Sequence, residues 1–213
     1  MHFLSSLLEN YIADNSQVEP ALLSELTRET HLKVVQPRMI TGHFQGRVLS
    51  MLSKLIAPKY ILEIGTYTGY SALCLAEGLP KDGELHTIEV NEELHQLQRK
   101  YFDKSDYRNQ IVQHTGDALA MIPTLDFTFD LVFIDAQKVN YDAYFEAVIQ
   151  KTRPGSVILS DNVLWSGKVV EPLEKSDKAT ASLLAYNQKL SRDPRVETVL
   201  LPIRDGLTLS RVL

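Results

Sequence analysis

Two carboxylates that close apolar runs, Asp135 and Asp161, stand with Asn162 and Lys138 as the side chains of this chain best suited to hold a cation and move a proton. The segments 129–135 and 156–160 each read as a short strand, the first ending on Asp135 and the second leading into Asp161-Asn162. Neighbouring parallel strands deliver their carboxyl ends to one crevice, which would bring the three oxygen donors Asp135, Asp161 and Asn162 together. An all-oxygen set suits one divalent cation, Mg²⁺ before Mn²⁺ or Ca²⁺, and not zinc or copper. A phenol with a pKa of about 10 is a poor nucleophile at neutral pH, and a cation beside it favours the phenolate. Lys138, three residues after Asp135, is placed to take the phenol proton, which makes Lys138 and Asp135 the candidate catalytic pair. Taken singly, these residues have plainer readings: a helix cap, an Asx turn and a surface lysine. Their joint placement beside a second constellation favours chemistry.

That second constellation is Tyr60-Ile-Leu-Glu-Ile-Gly-Thr-Tyr-Thr-Gly-Tyr-Ser71. Gly65 and Gly69 follow an apolar strand and precede a helix, where the backbone must turn tightly around a ligand. Glu89 ends the next strand, twenty residues beyond Gly69, placed to accept hydrogen bonds from both hydroxyls of a ribose. The glycine spacing departs from the G-x-G-x-x-G that lets a backbone meet a pyrophosphate, and Glu63 would repel one. S-adenosylmethionine carries an ammonium and a sulfonium and no phosphate, so the acid favours a methyl donor over a dinucleotide. Ser71 at the helix start is placed for the methionine carboxylate. Asp117 and Ala118, after the third strand, are placed for the adenine edge.

These residues need a scaffold, and the rest of the chain reads as one. Short apolar runs alternate with amphipathic segments from Tyr60 onward, the rhythm of an α/β fold around a mostly parallel sheet. Strands are expected at Tyr60–Ile64, Glu84–Val90, Gln110–Thr115, Phe129–Asp135, Ser156–Ser160, Arg195–Pro202 and Leu207–Val212. Helices are expected at Tyr70–Gly78, Glu92–Lys104, Tyr141–Lys151 and Asp177–Ser191. Four residues, 203–206, separate the last two strands, so these must pair antiparallel as a terminal hairpin. Phe3–Ala13, Pro20–Thr30 and Gly42–Ala57 carry helical apolar spacing and form an N-terminal cap. The chain of 213 residues is thus expected to be one domain, a helical cap over 1–58 and a cofactor-binding core over 59–213.

Composition narrows the function classes. A net charge of -5 argues against non-specific phosphate-backbone binding as the main activity. The single cysteine, Cys74, excludes an internal disulfide or a multi-cysteine zinc site and reads as a buried small hydrophobe. No apolar run reaches the roughly 18 residues of a membrane span, and Met1–Asn15 does not resemble a secretory signal. A cytoplasmic location without membrane partners is the expectation. The six histidines show no metal-ligand spacing and read as solvated or capping groups.

With these residues in view, the chain resembles the metal-dependent O-methyltransferases typified by caffeoyl-coenzyme-A and catechol O-methyltransferases. The resemblance rests on Met39-Ile-Thr41, the 61–71 turn, Phe133-Ile-Asp-Ala-Gln-Lys138, Asp161-Asn-Val-Leu-Trp165-Ser-Gly167, Asp193-Pro-Arg195 and Asp205-Gly206-Leu-Thr208. It implies a Rossmann-like seven-stranded sheet with helices on both faces, and Asp135, Asp161 and Asn162 as metal ligands. It implies Thr41, Glu63, Gly65, Thr66, Ser71, Glu89, Ala118 and Asp135 around S-adenosylmethionine, with Tyr67, Gly69 and Asp117 in the same loops. Lys138 matches the proposed base of the catechol-type enzymes. Met39, Trp165 and Ser166 are expected beside a small phenolic acceptor, catechol-like or hydroxycinnamate-type. Caffeoyl-coenzyme-A-type members commonly form homodimers, which is the expectation here. Two alternatives stay open: O-methylation of a hydroxylated nucleoside in transfer RNA, and a non-catalytic cofactor-binding sensor.

Overall fold

Alternation of apolar side chains fixes two buried faces on the central strands. In β1 (Tyr60–Ile64), β4 (Leu131–Ile134) and β5 (Val157–Asp161), Leu62, Ile64, Val132, Ile134 and Ile158 face one core. Ile61, Leu131, Phe133, Val157 and Leu159 face the other. Both faces are covered, as parallel strands require. The computed structural model describes residues 5–213; Phe3 and Leu4 of the first expected helix lie outside them.

The remaining strands are β2 (Glu84–Glu89), β3 (Ile111–Thr115), β6 (Val196–Leu201) and β7 (Leu207–Val212). The seven-stranded sheet has the order β3-β2-β1-β4-β5-β7-β6. The first five are parallel, and β7 runs antiparallel to both β5 and β6. The C-terminal hairpin is as expected, with the last strand inserted next to β5 and β6 left at the edge. Strand order reverses between β1 and its neighbours β2 and β4, which opens a crevice above their carboxyl ends.

Helices α2 (Ala21–Lys33), α3 (His43–Ile56), α4 (Tyr70–Ala76) and α5 (His95–Lys104) contribute to the core that contains Ile61 and Phe133, with α1 (Ser6–Asp14) beside α3. The other face is covered by α6 (Ala118–Met121), α7 (Tyr141–Ile149) and α8 (Lys178–Leu190). The one-turn α6, followed by a 3-10 turn at Ile122–Thr124, is absent from the sequence reading because four residues are too few to show a helical period. Asp117 caps it, accepting the Leu119 N–H at 3.0 Å.

Cys74 is buried as expected, and burial pushes its thiol up to about 12. His86 is buried and not solvated, and His114 is half-buried. His86 and His114 stack across β2 and β3 with ring centroids 5.3 Å apart and Nδ1 to Nε2 at 3.0 Å. Burial lowers both pKa values, and for His86 the neighbouring His114 adds to it.

Candidate active site

A cleft of about 2180 Å³ opens over the carboxyl ends of the strands. Its walls divide at the switch between β1 and β4. On one side lie the ends of β1, β2 and β3; on the other lie β4, β5 and the β6–β7 turn.

The first half is built mainly from backbone and acids. Gly65 has φ 99°, and a Cβ there would stand 2.0 Å from the Asp135 carbonyl oxygen, so only glycine lets β1 close onto β4 at this point. Gly69 serves packing: with φ 92° it precedes α4, and a Cβ would meet the Phe102 ring at 2.7 Å. Between them, the Tyr67 N–H donates to Glu89 Oε2 at 2.7 Å and the Asn91 N–H donates to Oε1 at 2.9 Å. Each Glu89 oxygen keeps a lone pair for a ligand hydroxyl. The Tyr67 hydroxyl donates to the Gln36 carbonyl at 2.8 Å, tying the cap to the turn. Thr41, Glu89, Asp117 and Ala118 line the cleft beside Gly65 and Tyr67.

Glu63, Thr66, Gly69 and Ser71 stand behind that wall, all buried. Thr66 donates to Thr87, which donates to Glu63 Oε2 at 2.5 Å. Ser71 lies beside the same carboxyl. Among the described residues Glu63 Oε1 has no hydrogen-bond partner. Burial pushes the carboxyl up to about 8, with the Asp135 and Glu89 charges adding to the shift and the Ser71 and Thr87 hydroxyls opposing it. A buried acid with an orphan oxygen is costly unless a donor or cation meets it.

The second half is built from side chains. Asp135 follows β4, and its Oδ1 accepts from Lys138 Nζ at 2.8 Å. Lys138 is buried and also donates to the Tyr141 hydroxyl at 2.7 Å. Tyr141 in turn donates to the Asp161 carbonyl at 2.9 Å. Burial, then the Asp135 charge, pushes the Asp161 carboxyl up to about 7, against the pull of Lys138. Two carboxylates therefore share one ammonium, leaving an excess of negative charge for a cation to answer. Asn162, in the left-handed region at φ 57°, donates its N–H to Asp161 Oδ1 at 2.8 Å. Among the described residues no three His, Cys, Asp or Glu side chains gather as a metal cage; the candidate donors here are two carboxylates and one amide.

Trp165 and Ser166 also take positive φ values, 48° and 55°. Both line the cleft, as does the exposed Met39, and the Trp165 ring centroid lies 6.0 Å from Lys138 Nζ. Asp205 of the β6–β7 turn fixes this segment, accepting the Ser166 N–H at 2.5 Å on Oδ1 and the Leu164 N–H at 2.9 Å on its carbonyl.

The sequence did not single out Tyr141, Gln45 or Arg204. Tyr141 carried a signal, three residues past Lys138 at a helix start. Gln45 and Arg204 carried none, because their meeting joins positions 159 residues apart.

A reversed last strand in a seven-stranded sheet, with a cleft of acids at the β1/β4 switch, defines a Rossmann-like methyltransferase fold. The family profile described as O-methyltransferase matches residues 13–213, and the chain belongs to that family. Caffeoyl-CoA O-methyltransferase 5 of Nicotiana tabacum is 35% identical over 220 residues, covering 97% of this chain and 91% of the tobacco protein. Caffeoyl-CoA O-methyltransferase 2 of Zea mays is 38% identical over 217 residues, covering 96% and 82%. Among solved structures, the O-methyltransferase TomG from Streptomyces achromogenes, involved in tomaymycin synthesis and in complex with SAM, superposes with a TM-score of 0.90. It is 31% identical, with 97% of this chain and 96% of that one covered. No helix among the described residues is long and apolar enough to cross a membrane.

Proposed function

We propose that this O-methyltransferase takes its methyl group from S-adenosylmethionine and, with a divalent cation, methylates a hydroxyl of a small catechol-like or hydroxycinnamate-type acceptor. The observation that carries the reading is one cleft with two unlike walls: a buried acid with an orphan oxygen behind one, and Asp135, Asp161, Asn162 and Lys138 on the other. Glu63 Oε1 fits the ammonium of the donor, and Ser71 and Thr66 complete that end. The lone pairs of Glu89 fit ribose hydroxyls. Thr41, Gly65, Tyr67 and Gly69 shape the turn around the donor, and Asp117 and Ala118 bound the adenine.

The hard oxygen donors of Asp135, Asp161 and Asn162 fit Mg²⁺, with Mn²⁺ or Ca²⁺ as substitutes. The donor supplies an electrophilic methyl group, and the cation supplies charge stabilisation for the acceptor oxygen. Lys138 Nζ, held by the Tyr141 hydroxyl, first gives up a proton to solvent and, as the free amine, then receives the hydroxyl proton. Trp165, Ser166 and Met39 bound the acceptor ring and exclude water from the oxygen. Alignment of acceptor oxygen, methyl carbon and sulfur is then the main task of the two walls.

The same proposal includes a homodimer. Leu7, Leu8 and Tyr11 on α1 and Met51 and Leu55 on α3 are exposed apolar side chains that a second copy would cover, which light scattering tests.

The direct test is incubation with S-adenosylmethionine, Mg²⁺ and a panel of catechols, with mass detection of the monomethyl ether. Turnover is expected with Mg²⁺ and its loss with EDTA. Methylation that survives complete metal removal contradicts the cation's part.

A further inference from the structure

Arg204 is an anchored cleft cation that the proposed chemistry leaves without a task. It sits in the β6–β7 turn at φ 48°, a backbone region that residues with a Cβ disfavour, and its side chain lines the cleft. Nη1 donates to the Ile40 carbonyl at 3.3 Å and to Gln45 Oε1 at 3.2 Å. Those two bonds use one nitrogen. Nε and Nη2, which share the opposite edge of the guanidinium, have no partner among the described residues. Among the described residues no carboxylate pairs with Arg204, and the neighbouring Asp205 is engaged with Ser166. Other cations of the cleft differ: Lys138 is paired with Asp135, Lys33 and Lys100 with Glu29, and Arg38 is an exposed side chain of the cap with no anchoring bond among the described residues.

The anchoring fixes where the free edge stands. Gln45 is buried and lies beside the Asp161 carboxyl, so one amide separates the guanidinium from the candidate cation donors. The turn that carries Arg204 is bonded to the segment bearing Trp165 and Ser166. The guanidinium is therefore held on the acceptor side of the cleft, beside the segment bearing Trp165 and Ser166 and one amide from Asp161. An Nε/Nη2 edge pairs a carboxylate through two parallel hydrogen bonds.

We propose that Arg204 is a specificity-determining residue that grips a carboxylate at the far end of the acceptor, making a small hydroxyaryl acid the preferred substrate. The inference rests on the acceptor reading above and goes further by naming the charged group.

The test compares 3,4-dihydroxycinnamate, its methyl ester and its coenzyme-A thioester in wild type, Arg204→Gln and Arg204→Gly. The glycine variant suits the positive φ and keeps the turn. Calorimetric binding of the free acid is measured alongside kcat/KM. The expected result is an acid-to-ester ratio of kcat/KM at least about tenfold in favour of the acid, collapsing toward one in both variants, with the acid's Kd rising about tenfold. An equal ratio in wild type and variants overturns the proposal, as does an Arg204-dependent preference for the thioester, which would assign the edge to phosphate. Arg204-dependent binding of the acid without methylation of any acceptor would uphold the carboxylate site and refute the catechol reading. Absence of acid binding to wild type overturns the site itself.

Discussion

The two walls of the cleft solve their problems with different materials. The β1–β3 wall relies on backbone: Gly65 pressed against the Asp135 carbonyl, Tyr67 and Asn91 N–H groups on Glu89, and a carboxyl, Glu63, kept behind the surface. The β4–β5 wall relies on side chains from distant segments, with left-handed residues at Asn162, Trp165, Ser166 and Arg204 aiming them. A backbone-built wall suits a constant ligand, and a side-chain wall can change with its acceptor. The proposed division of labour, donor on the first and acceptor with cation on the second, predicts that mutations sort by wall.

The largest effect is expected at Asp135. Asp135→Asn keeps the shape but removes the charge that answers Lys138 and the cation, and kcat/KM should fall on the order of a thousandfold. Calorimetry should find S-adenosylmethionine affinity changed far less; an equal loss in both would blur the two walls into one. Lys138→Ala should lower kcat about a hundredfold with cofactor Kd within about threefold. Unchanged turnover removes Lys138 as proton acceptor.

Glu63→Gln should do the opposite, weakening S-adenosylmethionine about tenfold. Its carboxyl titrates at about 8 in the fold against 4.5 ordinarily. Stability therefore falls as pH rises from 4.5 toward 8, the window in which the unfolded chain has released the proton and the folded one still holds it. At pH 7 this costs about 3 kcal/mol, so the variant's cofactor-free form should melt several degrees higher. Pairing with an ammonium ionises the carboxyl, so cofactor binding at pH 7 should release about one proton, measurable in buffers of different ionisation enthalpy. The smallest effect is expected at Asp117. Asp117→Ala removes the α6 cap at about 1 kcal/mol, lowering the melting temperature by about 2–4 °C and weakening the cofactor only slightly.

The same contrast explains what the sequence made legible. The strand-turn-helix around Gly65 and the acid at Glu89 lie in one short stretch, and their spacing carries the geometry. Strands β1 and β7 fall where alternation places them because both faces of the sheet demand apolar residues. Asp135 and Asp161 were legible because one directly follows β4 and the other ends β5. Arg204 and Gln45 meet only after the cap folds onto the C-terminal hairpin, which no local pattern encodes. The His86–His114 pair escaped for the same reason: β2 and β3 must be in register before the two rings touch.

Anomalous diffraction from a crystal grown with Mn²⁺, S-adenosylhomocysteine and a catechol tests the central claim most directly. The account predicts one manganese peak bonded to Asp135, Asp161 and Asn162, with the adenosine against Glu89 and Ala118 on the opposite wall. A peak away from those three donors, or an adenosine lodged on the β4–β5 wall, would contradict it.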